Sequence, residues 1–166
     1  MKDKLLKIIK EYGLLPQLEY FQSEVWELNE AIINCEMGRN YSPIQLNREY
    51  EKHIAEEIAD CLVMLEQFRL YLDLGDMVIS DNIIYPESDI LKYNKLFQKH
   101  VYKLSKSILK MTNIYDIKYR MLEVYISLKQ FQLYYEISNE ELNDIMNYKI
   151  DRQLKRIEES DNSVCA

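Results

Sequence analysis

The chain has few residues that break helices or form turns, with only three glycines and three prolines among 166 residues. A β-protein needs many tight turns, which these two residues usually supply, so their scarcity argues against one. No basic block interrupts the net charge of −7, which argues against a nucleic-acid or anionic-membrane binder. The composition therefore favours an all-α bundle that forms a single domain over residues 1–166.

Long apolar runs and clustered cysteines are also missing. No run approaches the length that crosses a membrane, and the N-terminal sequence MKDKLLKIIKEYG lacks the pattern of a signal peptide. The three cysteines are dispersed and odd in number, which is typical of reduced thiols rather than of a zinc site. We therefore expect a cytoplasmic protein without a membrane partner. The cysteines are Cys35, Cys61 and Cys165.

Helical periodicity predicts three helices in the first half of the chain. The first ends near Gly13, a residue type that commonly terminates helices. The second places Pro16 in its first turn and runs to Gly38. The third begins at a Ser42 cap and runs to about Leu74.

Three further helices are predicted in the second half, and the whole chain is predicted to form a bundle of about five to six helices. Residues 75–86 form either a short helix or a loop. Asn113 is a candidate N-cap, and Ser138 with Glu141 has the spacing of a capping box. The predicted helices cover about 88–111, 114–136 and 139–159.

Two pairs of acidic residues stand out. Glu24 and Glu27 lie within SEVWELNEAI, and Glu57 and Asp60 lie within AEEIADCLVML. Residues three apart share a helix face, so each pair directs two carboxylates to one side. Both pairs border the apolar stripe of their helix, where a carboxylate needs a metal, a proton or a cation. A hard divalent metal is the first hypothesis, and a solvated face is the alternative, because 30% of the residues are charged.

At these residues the chain resembles the MazG-like all-α nucleoside triphosphate pyrophosphohydrolases, which are relatives of the dimeric all-α dUTPases. The family pattern is Glu-x-x-Glu on one helix and Glu-x-x-Asp on the next, and the four acids fit it in order. Gly13 and Gln17, within EYGLLPQLEYFQ, fit the usual lead-in. Lys149 and Arg152, within NYKIDRQLKRI, resemble the closing basic helix. The similarity covers about residues 4–72 and 133–157.

The resemblance implies hydrolysis of a nucleoside or deoxynucleoside triphosphate between its α- and β-phosphates, giving the monophosphate and pyrophosphate. It implies Mg²⁺ as cofactor, with Mn²⁺ as a substitute, and a homodimer. Glu27 and Glu57 are the implied catalytic residues, and Glu27 is our first choice to activate water. Lys149 and Arg152 would bind phosphates, and Gln17 the base or sugar. The implied metal ligands are Glu24, Glu27, Glu57 and Asp60.

The two halves of the chain, about 1–75 and 86–160, also resemble each other. FQSEVWELNEAII matches FQKHVYKLSKSIL, and LVMLEQFRLYLDL matches YISLKQFQLYYEI. Because these segments match, we predict a duplicated MazG-like four-helix core. The second half of this core has lost most of the acids. Its complete site would combine acids from the first half with cations from the second. Glu24, Glu27, Glu57 and Asp60 align with His100, Lys103, Arg120 and Glu123.

Two rival functions remain open at this point. One is a catalytically inactive helical module that binds a nucleotide or a protein, and the other is a structural bundle with internal salt bridges. We interpret His53 and His100 as structural or exposed residues. Trp26 lies away from the acids on its helix and is expected to pack another surface, such as a subunit contact. In the structural bundle the acids would pair with Lys149, Arg152 and Lys103.

Overall fold

A computed structural model of the chain describes residues 1–39, 44–78 and 89–164, apart from the side chains of residues 39, 44–47 and 161–164. In this part of the chain the secondary structure consists of six α-helices and no strand. The predicted all-α bundle of five to six helices is therefore confirmed. None of these helices is long and apolar enough to span a membrane. They are α1 Lys2–Tyr12, α2 Leu14–Arg39, α3 Ile44–Tyr71, α4 Ile90–Leu109, α5 Ile114–Tyr134 and α6 Asn139–Val164.

Local sequence signals set several of the helix ends. α1 stops at Gly13, whose φ of 85° suits a residue without a side chain. Asn113 Oδ1 accepts a hydrogen bond of 2.9 Å from the backbone N–H of Asp116. Ser138 Oγ accepts one of 3.0 Å from the backbone N–H of Glu141. The predicted caps of α5 and α6 are thus confirmed, because each side chain satisfies a first-turn N–H that no carbonyl reaches.

Some boundaries differ from the prediction. α3 ends at Tyr71, earlier than predicted, because the chain turns away at Asp73, whose φ is 50°. α6 continues to Val164, beyond the predicted end. The predicted Ser42 cap and most of the ambiguous segment 75–86 lie outside the described residues.

One hydrophobic core contains buried side chains from all six helices. α2 packs mainly against α3, and α4 packs mainly against α5. Phe21 and Phe68 make an edge-to-face contact at 5.6 Å, and Phe97 and Phe131 repeat it at 5.4 Å. These phenylalanines occupy aligned positions of the two halves, and the duplication itself stays a prediction. Within the core α3 contacts α1, α2, α5 and α6, so it is the central support for any site built on it.

Candidate metal and phosphate site

Three of the four predicted acids converge where α2 faces α3. Glu24 comes from α2, and Glu57 and Asp60 come from one turn of α3. One carboxylate oxygen from each lies within 4.8 Å of the other two. Glu57 is buried, and Glu24 and Asp60 are half-buried. A set of oxygen donors at this separation suits a hard divalent cation.

Glu27, the fourth predicted ligand, lies at the edge of this group. Its side chain is exposed and lines the same pocket, but it does not belong to the three-carboxylate group. Its negative charge still acts on the group, because it adds to the effects of burial and of Asp60 in raising the pKa of Glu24. The structure therefore separates Glu27 from the other three acids by position, and its role as a ligand stays a prediction.

Burial raises the pKa of all three convergent carboxyl groups. Burial raises the pKa of Glu24 from 4.5 to about 7, and the charges of Asp60 and Glu27 add to the rise. Burial, followed by the charge of Asp60, raises the pKa of Glu57 from 4.5 to about 7. Burial also raises the pKa of Asp60, although its hydrogen bond from Lys149 opposes this. Shifted pKa values clustered in a cleft are typical of functional sites rather than of a solvated helix face.

A pocket of about 390 Å³ surrounds these carboxylates, and all seven site residues predicted from the sequence line it. Its lining combines three chemistries. The acids lie on α2 and α3, and the basic side chains lie on α6. The neutral side chains come mainly from α1, α2 and α6. The lining residues are Tyr12, Gln17, Tyr20, Glu24, Glu27, Glu57, Asp60, Met64, Lys149, Arg152, Gln153 and Arg156.

The basic side of the pocket already contacts the acidic side. Lys149 of α6 forms an ion pair with Asp60 of α3, and both side chains are largely buried. Arg152, one turn further along α6, is exposed and lies 6.0 Å from the ring centroid of Tyr148. The positive charges of Lys149 and Arg152 partly offset the rise in the pKa of Glu24. The closing helix therefore places Lys149 directly against Asp60, and the charge of Arg152 also acts on the acidic group.

Several lining residues were missed by the sequence reasoning. His53 does not line the pocket; its side chain is exposed, in line with our interpretation, and its Nδ1 lies 3.4 Å from Glu57 Oε1, one helical turn away. Gln153 lies one turn after Lys149, and Tyr20 lies one turn before the first acid. The spacing i, i+4 from predicted site residues could have identified Tyr20 and Gln153. Helical spacing alone did not say which neighbours face the pocket.

Three buried oxygens of the pocket have no hydrogen-bond partner among the described residues. They are Glu57 Oε2, Gln17 Oε1 and Gln153 Oε1. An unpaired buried acceptor costs about 1–3 kcal/mol, so such atoms need an explanation. A cation at Glu57 and donor groups of a ligand at the two glutamines would satisfy them.

The aligned positions of the second half, together with Asp116, carry both positive and negative charges instead. Arg120 Nη1 donates to Glu123 Oε2 at 3.0 Å, and Arg120 Nε lies 3.5 Å from Asp116 Oδ1. His100 Nε2 lies 3.9 Å from Glu123 Oε1. Opposite charges neutralise each other here. Within the described residues the convergence of three or more acids is confined to the first half.

Comparison with protein-family models, with curated proteins and with solved structures gives no match to this chain. The resemblance to the MazG-like pyrophosphohydrolases therefore remains a prediction based on the motif residues. What the structure adds is the geometry of those residues: the acids, the glutamine and the cations line one pocket.

The raised pKa values predict how stability depends on pH. Between pH 4.5 and about 7 the folded chain holds protons on Glu24 and Glu57 that the unfolded chain has lost. The free energy of unfolding should therefore fall as the pH rises through this window. After allowance for solvent screening we expect about 1–2 kcal/mol from the pair.

Urea unfolding at pH 4.5 and at pH 8, without divalent metal, measures this effect. The double variant E24Q/E57Q should gain stability relative to the wild type as the pH rises, because its amides do not titrate. The control is E49Q, which changes an exposed glutamate on α3 outside the pocket. A stability difference between wild type and E24Q/E57Q that stays constant with pH would contradict the prediction.

Proposed function

We propose that the chain is a Mg²⁺-dependent nucleoside triphosphate pyrophosphohydrolase. The observation that carries this proposal is the single pocket in which three close carboxylates face the cations of α6. A metal alone would satisfy the acids, and an anion alone would satisfy the cations. A magnesium polyphosphate satisfies both, because its metal takes carboxylate oxygens and its phosphates take arginine and lysine.

Glu24, Glu57 and Asp60 would hold the Mg²⁺. The donor set fits, because all three groups offer oxygen and because the buried Oε2 of Glu57 has no other partner among the described residues. Bound Mg²⁺ would supply charge neutralisation at the phosphate oxygens and polarisation of the attacking water. Mn²⁺ should substitute, since it accepts the same carboxylate ligands.

The remaining side chains would bind and orient the nucleotide. Glu27 lines the pocket outside the three-carboxylate group, and it would accept a proton from the attacking water. Glu57 would orient that water, as well as serving as a ligand. Lys149 and Arg152 would hold the outer phosphates, since an ammonium and a guanidinium both bind phosphate oxygens. The buried Oε1 of Gln17, which has no partner among the described residues, would accept a hydrogen bond from the base or sugar.

A cytoplasmic location fits this proposal. Cys61 is a free thiol buried in the core. Free thiols persist in reducing compartments. Nucleoside triphosphates are also present in that compartment, so the substrate would be available.

One observation favours the rival in which the fold is kept and catalysis is lost. The ion pair between Lys149 and Asp60 neutralises one acid without any ligand. An inactive module that binds a nucleotide or a protein would keep this pair. The two functions differ in whether product is released.

A turnover assay separates the two functions. The chain is incubated with Mg²⁺ and a panel of nucleoside and deoxynucleoside triphosphates, and pyrophosphate and the monophosphate are measured. We expect both products in equal amounts from at least one nucleotide, and none when the metal is chelated. Nucleotide binding without release of pyrophosphate, across the panel, would establish the inactive module instead.

A further inference from the structure

The outer face of α2 and α4 carries matched side chains from the two halves of the chain. A cleft of about 280 Å³ lies there. At 100° per residue, this face of α2 lies roughly opposite the carboxylates of Glu24 and Glu27. The residues that line the cleft come in aligned pairs, one from α2 and one from α4, so the cleft lies between the two related helices. Three of the pairs are Gln22 with Gln98, Val25 with Val101, and Trp26 with Tyr102.

Large apolar side chains are exposed on this face. Trp26 is 62% exposed and Tyr102 is 66% exposed. The next aligned pair on the same helix faces, Ile33 and Leu109, is 36% and 57% exposed. Exposed aromatic and aliphatic groups that share one face of two helices typically mark an interaction surface.

The charges around the apolar side chains have opposite signs on the two helices. Glu19 and Glu30 of α2 align with Lys95 and Lys106 of α4. All four are exposed, and none forms an ion pair with another described residue. α4 contains no acidic residue at all, although the chain has a net charge of −7. The face therefore has an acidic edge along α2 and a basic edge along α4.

This division of charge determines how a second copy of the chain can pack on the face. A second copy can be placed on the face by a twofold axis in two ways. If α2 lies over α2 of the other copy, acids face acids and lysines face lysines. If α2 lies over α4 of the other copy, acids face lysines along both edges. We propose that the α2–α4 face is the interface of a homodimer in which each α2 packs on the α4 of the other copy.

The direction of the helices fixes which charges meet. Asn29 lies in the C-terminal half of the part of α2 that lines the cleft. Its Oδ1 accepts hydrogen bonds from Asn94 and Gln98, which lie towards the N-terminal end of α4. The two helices therefore run in opposite directions across the cleft. The twofold axis then places Glu19 near Lys106 of the second copy and Glu30 near Lys95. Trp26 of each copy meets Tyr102 of the other at the centre.

Paired charge reversals test this interface independently of the proposed reaction. E19K/E30K makes both edges basic, and K95E/K106E makes both edges acidic. The oligomeric state is measured by sedimentation equilibrium across a range of protein and salt concentrations. We expect a dimeric wild type, two monomeric variants, and a heterodimer when the two variants are mixed in equal amounts. Trp26 is the only tryptophan, so its fluorescence should shift to shorter wavelength whenever a dimer forms.

The recovery of a dimer in the mixture shows that each variant is folded, and circular dichroism checks the helices directly. E11K/E49K changes the net charge by the same amount as E19K/E30K but lies outside the face, and it should leave the dimer intact. A wild type that stays monomeric at all concentrations overturns the proposal. So do reversal variants that dimerise as well as the wild type, and a mixture of the variants that stays monomeric.

Discussion

Replacing Glu57 with Gln should reduce Mg²⁺-dependent pyrophosphate release by on the order of 10²–10³-fold while making the metal-free protein more stable. The loss follows because an amide oxygen carries no charge with which to hold the metal. The gain follows because burial and the charge of Asp60 raise the pKa of Glu57 to about 7, so its ionised form is unfavourable in the fold. A melting temperature higher by about 1–4 °C at pH 8 is expected without metal. Added Mg²⁺ should raise the melting temperature of the wild type but not that of the variant.

The neighbouring residue offers a matched control. Glu56 lies next to Glu57 on α3 but does not line the pocket, so E56Q should keep its turnover and its response to Mg²⁺. A structural salt-bridge bundle predicts a different outcome, since its melting temperature would not respond to Mg²⁺ in any variant. Full turnover in E57Q would rule out the site assignment, whatever happens to stability.

The features that were predictable from the sequence are those with local causes. Asn113 and Ser138 cap their helices because each bonds a backbone N–H three residues further on, which a spacing can reveal. The pairing of Glu57 with Asp60 is likewise a matter of one helical turn. By contrast, α3 ends early because of a turn at Asp73, and an aspartate with positive φ leaves little sequence signal.

The parts of the site that were not predictable depend on how helices rotate against each other. Helical periodicity placed Glu24 and Glu27 on one side of α2, but only packing shows that Glu24 reaches the α3 acids and Glu27 does not. The ion pair between Lys149 and Asp60 joins residues that lie far apart in the chain. Its partners were identifiable as site residues through the family resemblance, whereas their direct contact required the tertiary structure.

The position of Lys149 suggests that a bound metal ion would displace its ammonium group from Asp60. Lys149 is the cation held closest to the acids in the described structure, because it forms the ion pair with Asp60. A metal that takes Asp60 as a ligand would compete with this ammonium. Phosphates entering with the metal would offer the ammonium a new partner. Metal binding and phosphate binding should therefore reinforce each other through Lys149.

The variant K149M should separate the roles of this side chain. Turnover should fall by about 10–100-fold, which corresponds to the loss of one charge-assisted hydrogen bond of about 1.5–3 kcal/mol. Without metal the variant should melt at a lower temperature than the wild type, because its clustered acids have lost their nearest cation. Mg²⁺ alone should then raise the melting temperature more in the variant than in the wild type, since Asp60 is free to bind it.

Calorimetry and melting curves with Mg²⁺, in the presence and absence of inorganic pyrophosphate, measure these effects. Pyrophosphate should tighten Mg²⁺ binding in the wild type, and this coupling should weaken in K149M. K155M is the control, because Lys155 is exposed on α6 and does not line the pocket. If Lys149 only braces the fold, K149M will be destabilised and Mg²⁺ will not restore its stability. That result would favour the structural bundle, because the acids would then need the lysine rather than a metal to remain together in the core.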